Sequence, residues 1–281
     1  MALSIFTNAS SMASVNALNK SNSMLSTAME RLGTGKRINS AADDAAGLQI
    51  ATRLQGQTNG MAVAQRNISD ATALLQTAEG AFDEVSNIMY RMKDLASQAA
   101  NDTNGTEDRA ALQSEMDELN SELTNIMGNT KYAGENLFGA SGKFSNTMNF
   151  QIGASAEEKL ELNVKTELDN VTGASGMGAL SAGDITTVSG AQAMMTSIED
   201  AVSTVGTLRS KLGANINRLG HTAANLANMK DNTDLALGNI RDADFASEAS
   251  SMTRNQMLAQ TSMSMLKQSN SMSGMVMSLL G

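Results

Sequence analysis

The sequence predicts a mainly α-helical protein: a long coiled-coil bundle in which N- and C-terminal segments pair, with a small β-hairpin region in an outer rod. Three observations lead there. The 281 residues include no Pro, where average usage would place about 14. Proline breaks helix interiors because it lacks an N–H and clashes with the preceding turn, so its absence permits very long helices. Apolar and small residues recur in 3-4 alternation over long stretches. Charge is also uneven: residues 1–29 contain only Lys20 and residues 255–281 only Lys267, while 30–254 sum to −11.

The longest stripe runs through Ile50, Leu54, Met61, Ala64, Ile68, Ala71, Leu75, Ala78, Phe82, Val85, Met89, Met92, Ala96 and Ala99. Polar Gln57 interrupts it, and from Met61 onward the spacing is a strict heptad seam. It predicts a helix from Ala41 to about Ala100, roughly 90 Å long. Ser40 and Asp43 form a capping pair at its start, and Asn101-Asp102-Thr103-Asn104-Gly105 supplies turn formers at its end. A second helix carries Leu112, Met116, Leu119, Leu123 and Ile126. A third long stripe is Ile198, Ala201, Val205, Leu208, Leu212, Asn215, Leu219, Thr222, Leu226 and Met229, with polar Asn215 and Thr222 placed to set register.

Between the second and third helices the period changes to two. Phe144, Met148, Phe150 and Ile152, then Leu160, Leu162 and Val164, flank the turn-like Gly153-Ala154-Ser155-Ala156, which predicts a β-hairpin near 143–165. Residues 166–190 are rich in Gly, Ser and Thr without a sustained period and read as an exposed loop. The resulting division sets paired ends, 1–40 plus 240–281, apart from a helical bundle of 41–165 plus 191–239.

The termini repeat the helical pattern almost without charge. Val15, Leu18, Leu25, Met29 and Leu32 share a face, interrupted by Asn22, and Leu258, Met265, Met272 and Leu279 recur every seven residues. These residues are read as the inner-domain seam that drives polymerisation. Helices so poor in charge lack a solvated polar face, so the two ends are expected to become fully ordered only when neighbouring copies cover them.

Composition excludes several functions. An acidic chain of net charge −9 argues against nucleic-acid binding, which needs basic patches. No stretch approaches the roughly 18 apolar residues of a membrane span, and the N-terminus does not read as a cleaved signal peptide. With no Cys and a single His221 there is no thiol nucleophile, no two-His zinc site, and no cofactor is expected. Gly33-Thr34-Gly35-Lys36-Arg37 fails the phosphate-loop pattern at both Glu30 and Arg37 and reads as a bend. Without a nucleophile–base or metal constellation, the chain is not an enzyme.

Residues 31–54, from Arg31-Leu32-Gly33-Thr34-Gly35-Lys36-Arg37-Ile38-Asn39 to Arg53-Leu54, resemble the N-terminal signature of bacterial flagellins. Asn239-Ile240-Arg241-Asp242-Ala243-Asp244-Phe245-Ala246-Ser247-Glu248 resembles the C-terminal signature, and Val276-Met277-Ser278-Leu279-Leu280 is similar to the family's end. The resemblance spans essentially the whole chain. It implies a subunit that self-assembles into the flagellar filament, exported unfolded through the flagellar type III apparatus and added beneath a cap protein. Its other implied partners are hook-associated junction proteins and an export chaperone. Many flagellins carry large variable outer domains where about 25 residues stand here, so the chain resembles a minimal flagellin. The resemblance also carries a receptor-recognition stretch, for Toll-like receptor 5, onto Arg91, Leu95, Gln98 and Glu115. Lys93, Asp94 and Ser97 depart from the commoner pattern, and Arg91 and Glu115 equally read as solvated rod residues that meet an adjacent subunit. O-linked sugars on Ser175, Ser181, Thr186 or Ser189 are an implication of the same kind, and Gly281 replaces a basic terminal residue. Two other readings stay open: a hook–filament junction protein, and a coiled-coil signalling rod, which would carry a membrane segment or sensor domain upstream.

Overall fold

The computed structural model describes residues 8–139, 141–173, 176–181 and 183–280, except the side chains at 273 and 276–280. Ser175 and Gly281 lie outside the described residues, as does the side chain of Leu279. In chain order the elements are α1 (Ala9–Thr34), α2 (Ala45–Ala99), α3 (Thr106–Asn129), β1 (Lys131–Tyr132), β2 (Glu135–Asn136), a 3₁₀ turn (Lys143–Ser145), β3 (Met148–Gln151), β4 (Lys159–Leu162), α4 (Lys165–Thr172), α5 (Met177–Ser181), α6 (Val188–Arg241) and α7 (Phe245–Leu280). Two compact units emerge: Met1–Gln57 with Asp231–Gly281, and Thr58–Lys230. The sequence-based division at 40 and 240 follows the turns between helices, whereas the units change over inside α2 and α6.

In the unit Thr58–Lys230 the core is built from the predicted heptad stripes. Every α2 stripe residue from Met61 to Ala99 is buried, as are Ile198, Ala201, Val205, Leu208, Leu212, Asn215, Leu219 and Leu226 of α6. Met229 closes that stripe exposed. Asn215 is satisfied within its own helix, its amide donating to the Lys211 carbonyl at 2.8 Å. From α3, Met116, Leu123 and Met127 complete the apolar layer. Each large side chain so buried contributes about 1.5–3 kcal/mol. Phe138 meets Phe82 in a tilted contact with ring centroids 4.6 Å apart and stacks on Phe144 at 5.9 Å.

Two antiparallel hairpins pack in this unit. The predicted one is β3 with β4, in the register Met148↔Leu162 and Phe150↔Leu160. It is shorter than the alternation suggested, because Phe144 belongs to the 3₁₀ turn and Ile152 and Val164 lie beyond the strands. The second, β1 with β2, is not visible in the sequence pattern. Its two-residue turn has Ala133 at φ 51° and Gly134 at φ 85°, the left-handed pair such a turn requires. Ala at that position carries no sequence signal, which is why the hairpin escapes prediction.

Residues 166–190 are not an exposed loop. They hold α4 and α5, whose Leu168, Val171, Met177 and Leu180 are buried together with Ile185. Gln113 of α3 fastens the segment from outside: its side chain accepts from the Ile185 N–H at 2.7 Å and donates to the Gly183 carbonyl at 3.2 Å. Helices of one or two turns leave too few repeats for a period to emerge, and tertiary contacts make them stable.

The start of α2 also differs from expectation. Ser40 and Asp43 do bond, Asp43 accepting from the Ser40 N–H at 2.8 Å, but they close a turn ahead of the helix. Asp44 caps α2, accepting from the Gly47 N–H at 2.8 Å.

Candidate assembly surface on the terminal helix pair

In the other unit, α1 and α7 run antiparallel. The pairing is fixed by Asn8 donating to the Ser269 hydroxyl at 2.9 Å, Ser11 to Asn270 at 3.0 Å, and Arg31 to Glu248 at 3.1 Å. The contact seam on α1 is Ser14, Leu18, Ser21, Leu25, Ala28 and Leu32, half-buried or buried in turn. On α7 it is Glu248, Met252, Asn255, Ala259, Ser262, Leu266 and Ser269. Both series keep heptad spacing, but most of their members are small or polar.

The large apolar residues therefore point elsewhere, and this corrects the predicted seam. Leu18, Leu25 and Leu32 do face α7 in part. Val15, Met29, Leu258, Met265 and Met272 are instead 38, 52, 48, 60 and 52% exposed. At some positions the sequence reading chose the bulky residue where the seam takes the small neighbour one step away, Ser14 for Val15, Ala28 for Met29 and Ala259 for Leu258. The missed signal is a heptad of Ser and Ala.

Met265 and Met272 also line an open groove of about 580 Å³ with Ala13 and Ala17 of α1. Large apolar side chains on a helix's solvent face lower its free energy when a partner covers them. In this unit it is α7 that carries Met257, Leu258, Met263 and Met265 on its exposed surface.

The two sequence signatures meet beside this pair. Gly35 takes the left-handed conformation (φ 71°) that ends α1, its N–H donating to the Arg31 carbonyl. Ala243 N–H donates to the Gly35 carbonyl at 3.0 Å and Arg37 N–H to the Arg241 carbonyl at 2.7 Å. The Arg37 guanidinium reaches the Ile240 carbonyl at 2.7 Å. Asp244 caps α7 through the Ala246 N–H at 2.9 Å, and Ile38 is buried. Backbone N–H groups of Ser40 and Asn39, with the Ser40 hydroxyl, hold the Asp43 carboxyl below its ordinary range. Signature residues so placed join the two ends of the chain.

The receptor-type residues lie in the other unit. The Arg91 Nε and Nη2 donate to one Glu115 oxygen at 2.9 and 2.6 Å. Arg91, Gln98 and Glu115 are exposed. Leu95 is only 1% exposed and belongs to the core, so it is unavailable to an outside partner. Of the hydroxyls considered for sugars, Ser181 and Ser189 are exposed and Thr186 is half-buried, its hydroxyl donating to Asp184 at 2.6 Å.

A helical bundle whose termini pair through a small-residue seam and expose large apolar faces defines a self-assembling structural subunit. Family models identify which one. The bacterial flagellin N-terminal helical region matches residues 5–143 and the C-terminal helical region residues 195–280. A flagellin of Halalkalibacterium halodurans is 41% identical over 254 residues, covering 90% of each chain. Polar flagellin F of Vibrio parahaemolyticus is 32% identical over an alignment of 381 positions that takes in all of both chains, so it carries about a hundred positions without counterpart here. A crystal structure of Bacillus cereus flagellin superposes with a TM-score of 0.50 at 29% identity, over 57% of this chain and 88% of that one. A putative flagellar hook-associated protein from Vibrio parahaemolyticus reaches 0.57 at 16% identity, over 71% of this chain and all of that one, a likeness of fold alone. The chain belongs to the bacterial flagellin family, as a minimal member without a large variable domain. It is a structural subunit of the flagellar filament and not an enzyme. No described helix is long and apolar enough to cross a membrane.

Proposed function

We infer that the subunit polymerises through the outward faces of α1 and α7. One observation carries the reading: the buried residues of the pair, Ser21, Ala28, Asn255, Ala259 and Ser262, are small or polar, while Val15, Met29, Leu258, Met265 and Met272 stand exposed. Covering these five by neighbouring copies removes them from water, at about 1.5–3 kcal/mol for each side chain fully buried. The inner domain of 1–40 plus 240–281 then forms the packed interior of the polymer, and Leu279 continues the α7 series at its seven-residue interval. Deletion of 255–281 tests this. The truncated chain should remain a soluble helical monomer that forms no filaments by electron microscopy; filaments of native dimensions would sink the assignment.

The family resemblance supports the following reading of the surrounding biology. The subunit leaves the cell unfolded by the flagellar type III route without a cleaved signal and is added extracellularly beneath the cap. It meets hook-associated junction proteins at the filament base and an export chaperone before secretion. Arg91, Gln98 and Glu115 form the surface for Toll-like receptor 5, with Leu95 supporting it from the core. Ser175, Ser181, Thr186 and Ser189 are the acceptors for O-linked sugars.

A further inference from the structure

Methionine supplies most of the large exposed apolar side chains in the unit Met1–Gln57 with Asp231–Gly281. Met12, Met24 and Met29 stand out from α1, and Met257, Met263, Met265 and Met272 from α7. In the unit Thr58–Lys230, Met61, Met89, Met92, Met116 and Met194 are buried, and Met229 is exposed. A thioether packs adaptably against an irregular partner, yet it is also an apolar group that a mild oxidant makes polar. Leu at the same positions would offer similar apolar area without that chemistry.

We propose that Met257, Met263, Met265 and Met272 form a redox-sensitive modification site, at which peroxide oxidation of the free subunit blocks assembly. The inference rests on the assembly surface assigned above. In the step, a thioether sulfur attacks one oxygen of hydrogen peroxide, the O–O bond breaks, and a sulfoxide and one water form. Sulfur loses two electrons and the peroxide gains them. A thiol-dependent methionine sulfoxide reductase reverses the change: two thiols become a disulfide and the sulfoxide oxygen leaves as water. Access separates these side chains from the core methionines, and Met12, Met24, Met29 and Met275 meet solvent as well.

The consequence follows from desolvation. Met265 and Met272, one heptad apart, line the open groove against α1. The groove also holds Ser10, Ser14, Ser262 and Gln268, but a sulfoxide is more strongly hydrated than a thioether, so covering it with a neighbouring copy costs desolvation that the thioether does not. Oxidation in the monomer therefore opposes polymerisation, whereas a completed polymer shields the same sulfurs.

Limited hydrogen peroxide treatment of purified monomer, followed by peptide mass mapping and a seeded polymerisation assay, tests this. The α7 methionines should gain oxygen before the core set, with helicity unchanged, and the critical concentration should rise by about tenfold or more. Reductase treatment should restore it. The variant with all four changed to Leu should lose most of the peroxide response, its critical concentration after treatment being read against the same variant's own untreated value. Oxidised monomer that polymerises at an unchanged critical concentration overturns the proposal, as does failure of the reductase to restore assembly. A Leu variant as sensitive as the parent chain does so too. The 255–281 deletion separates the two readings. Filaments without that segment sink the surface assignment, while a non-assembling deletion beside a fully assembling oxidised chain sinks only the redox inference.

Discussion

Arg91 and Leu95 stand four residues apart on α2 with opposite environments. The Arg91–Glu115 pair is exposed on both sides, with side-chain exposures of 55% and 44%, and such pairs contribute about 0–1 kcal/mol. Arg91→Ala should therefore leave thermal unfolding nearly unchanged while lowering receptor activation by the monomer. An unchanged dose–response curve would remove Arg91 from the recognition surface. Leu95 cannot be tested this way, because truncating a fully buried Leu costs about 2–5 kcal/mol in lost burial and cavity formation. The sequence named both residues by resemblance but could not separate them. Leu95 lies outside the quoted heptad stripe, next to Ala96, and only the neighbouring elements determine that its position is covered as well.

Among the elements, the β3–β4 hairpin shows how contact geometry constrains a residue that propensity would change. A Cβ at Gly60 would sit 2.8 Å from the Ala154 Cβ and 3.2 Å from its Cα, so the hairpin turn rests on the glycine. Asn67 adds a hydrogen bond to the Gln151 carbonyl at 3.2 Å. Gly→Ala in a helix ordinarily stabilises by about 1 kcal/mol. Gly80, with open space around it, should show that gain in denaturant melts. Gly60→Ala should show a loss, because the backbone of 153–156 must move; equal gains at both positions would refute the docking. The hairpin itself was readable from alternation. Its partner β1–β2 and the helices α4 and α5 were not, since each is too short to display a period and depends on contacts such as the Gln113 bracket.

At the scale of the molecule, the two units differ in what holds them. Thr58–Lys230 has a continuous core of large side chains, whereas the α1–α7 pair buries Ser21, Ala28, Asn255, Ala259 and Ser262. Hydrogen exchange on the monomer should find amides of α1 and α7 exchanging much faster than those of α2 between 68 and 96. In filaments the α1 and α7 amides should become slow as well. Equal protection of both units in the monomer would mean that the pair is stable alone and that its ordering is not coupled to assembly. Periodicity and the lack of proline were enough to specify long heptad helices, because a repeat sustained over many turns has one solution. Two signatures in order were enough to specify the family. Which face of α1 and α7 turns inward was not legible. Residues one position apart differ by about 100° around a helix, so the inward face depends on how closely the other helix approaches. That distance belongs to the folded pair, and it buries Ser21, Ala28, Asn255, Ala259 and Ser262 and leaves Met29, Met265 and Met272 outside.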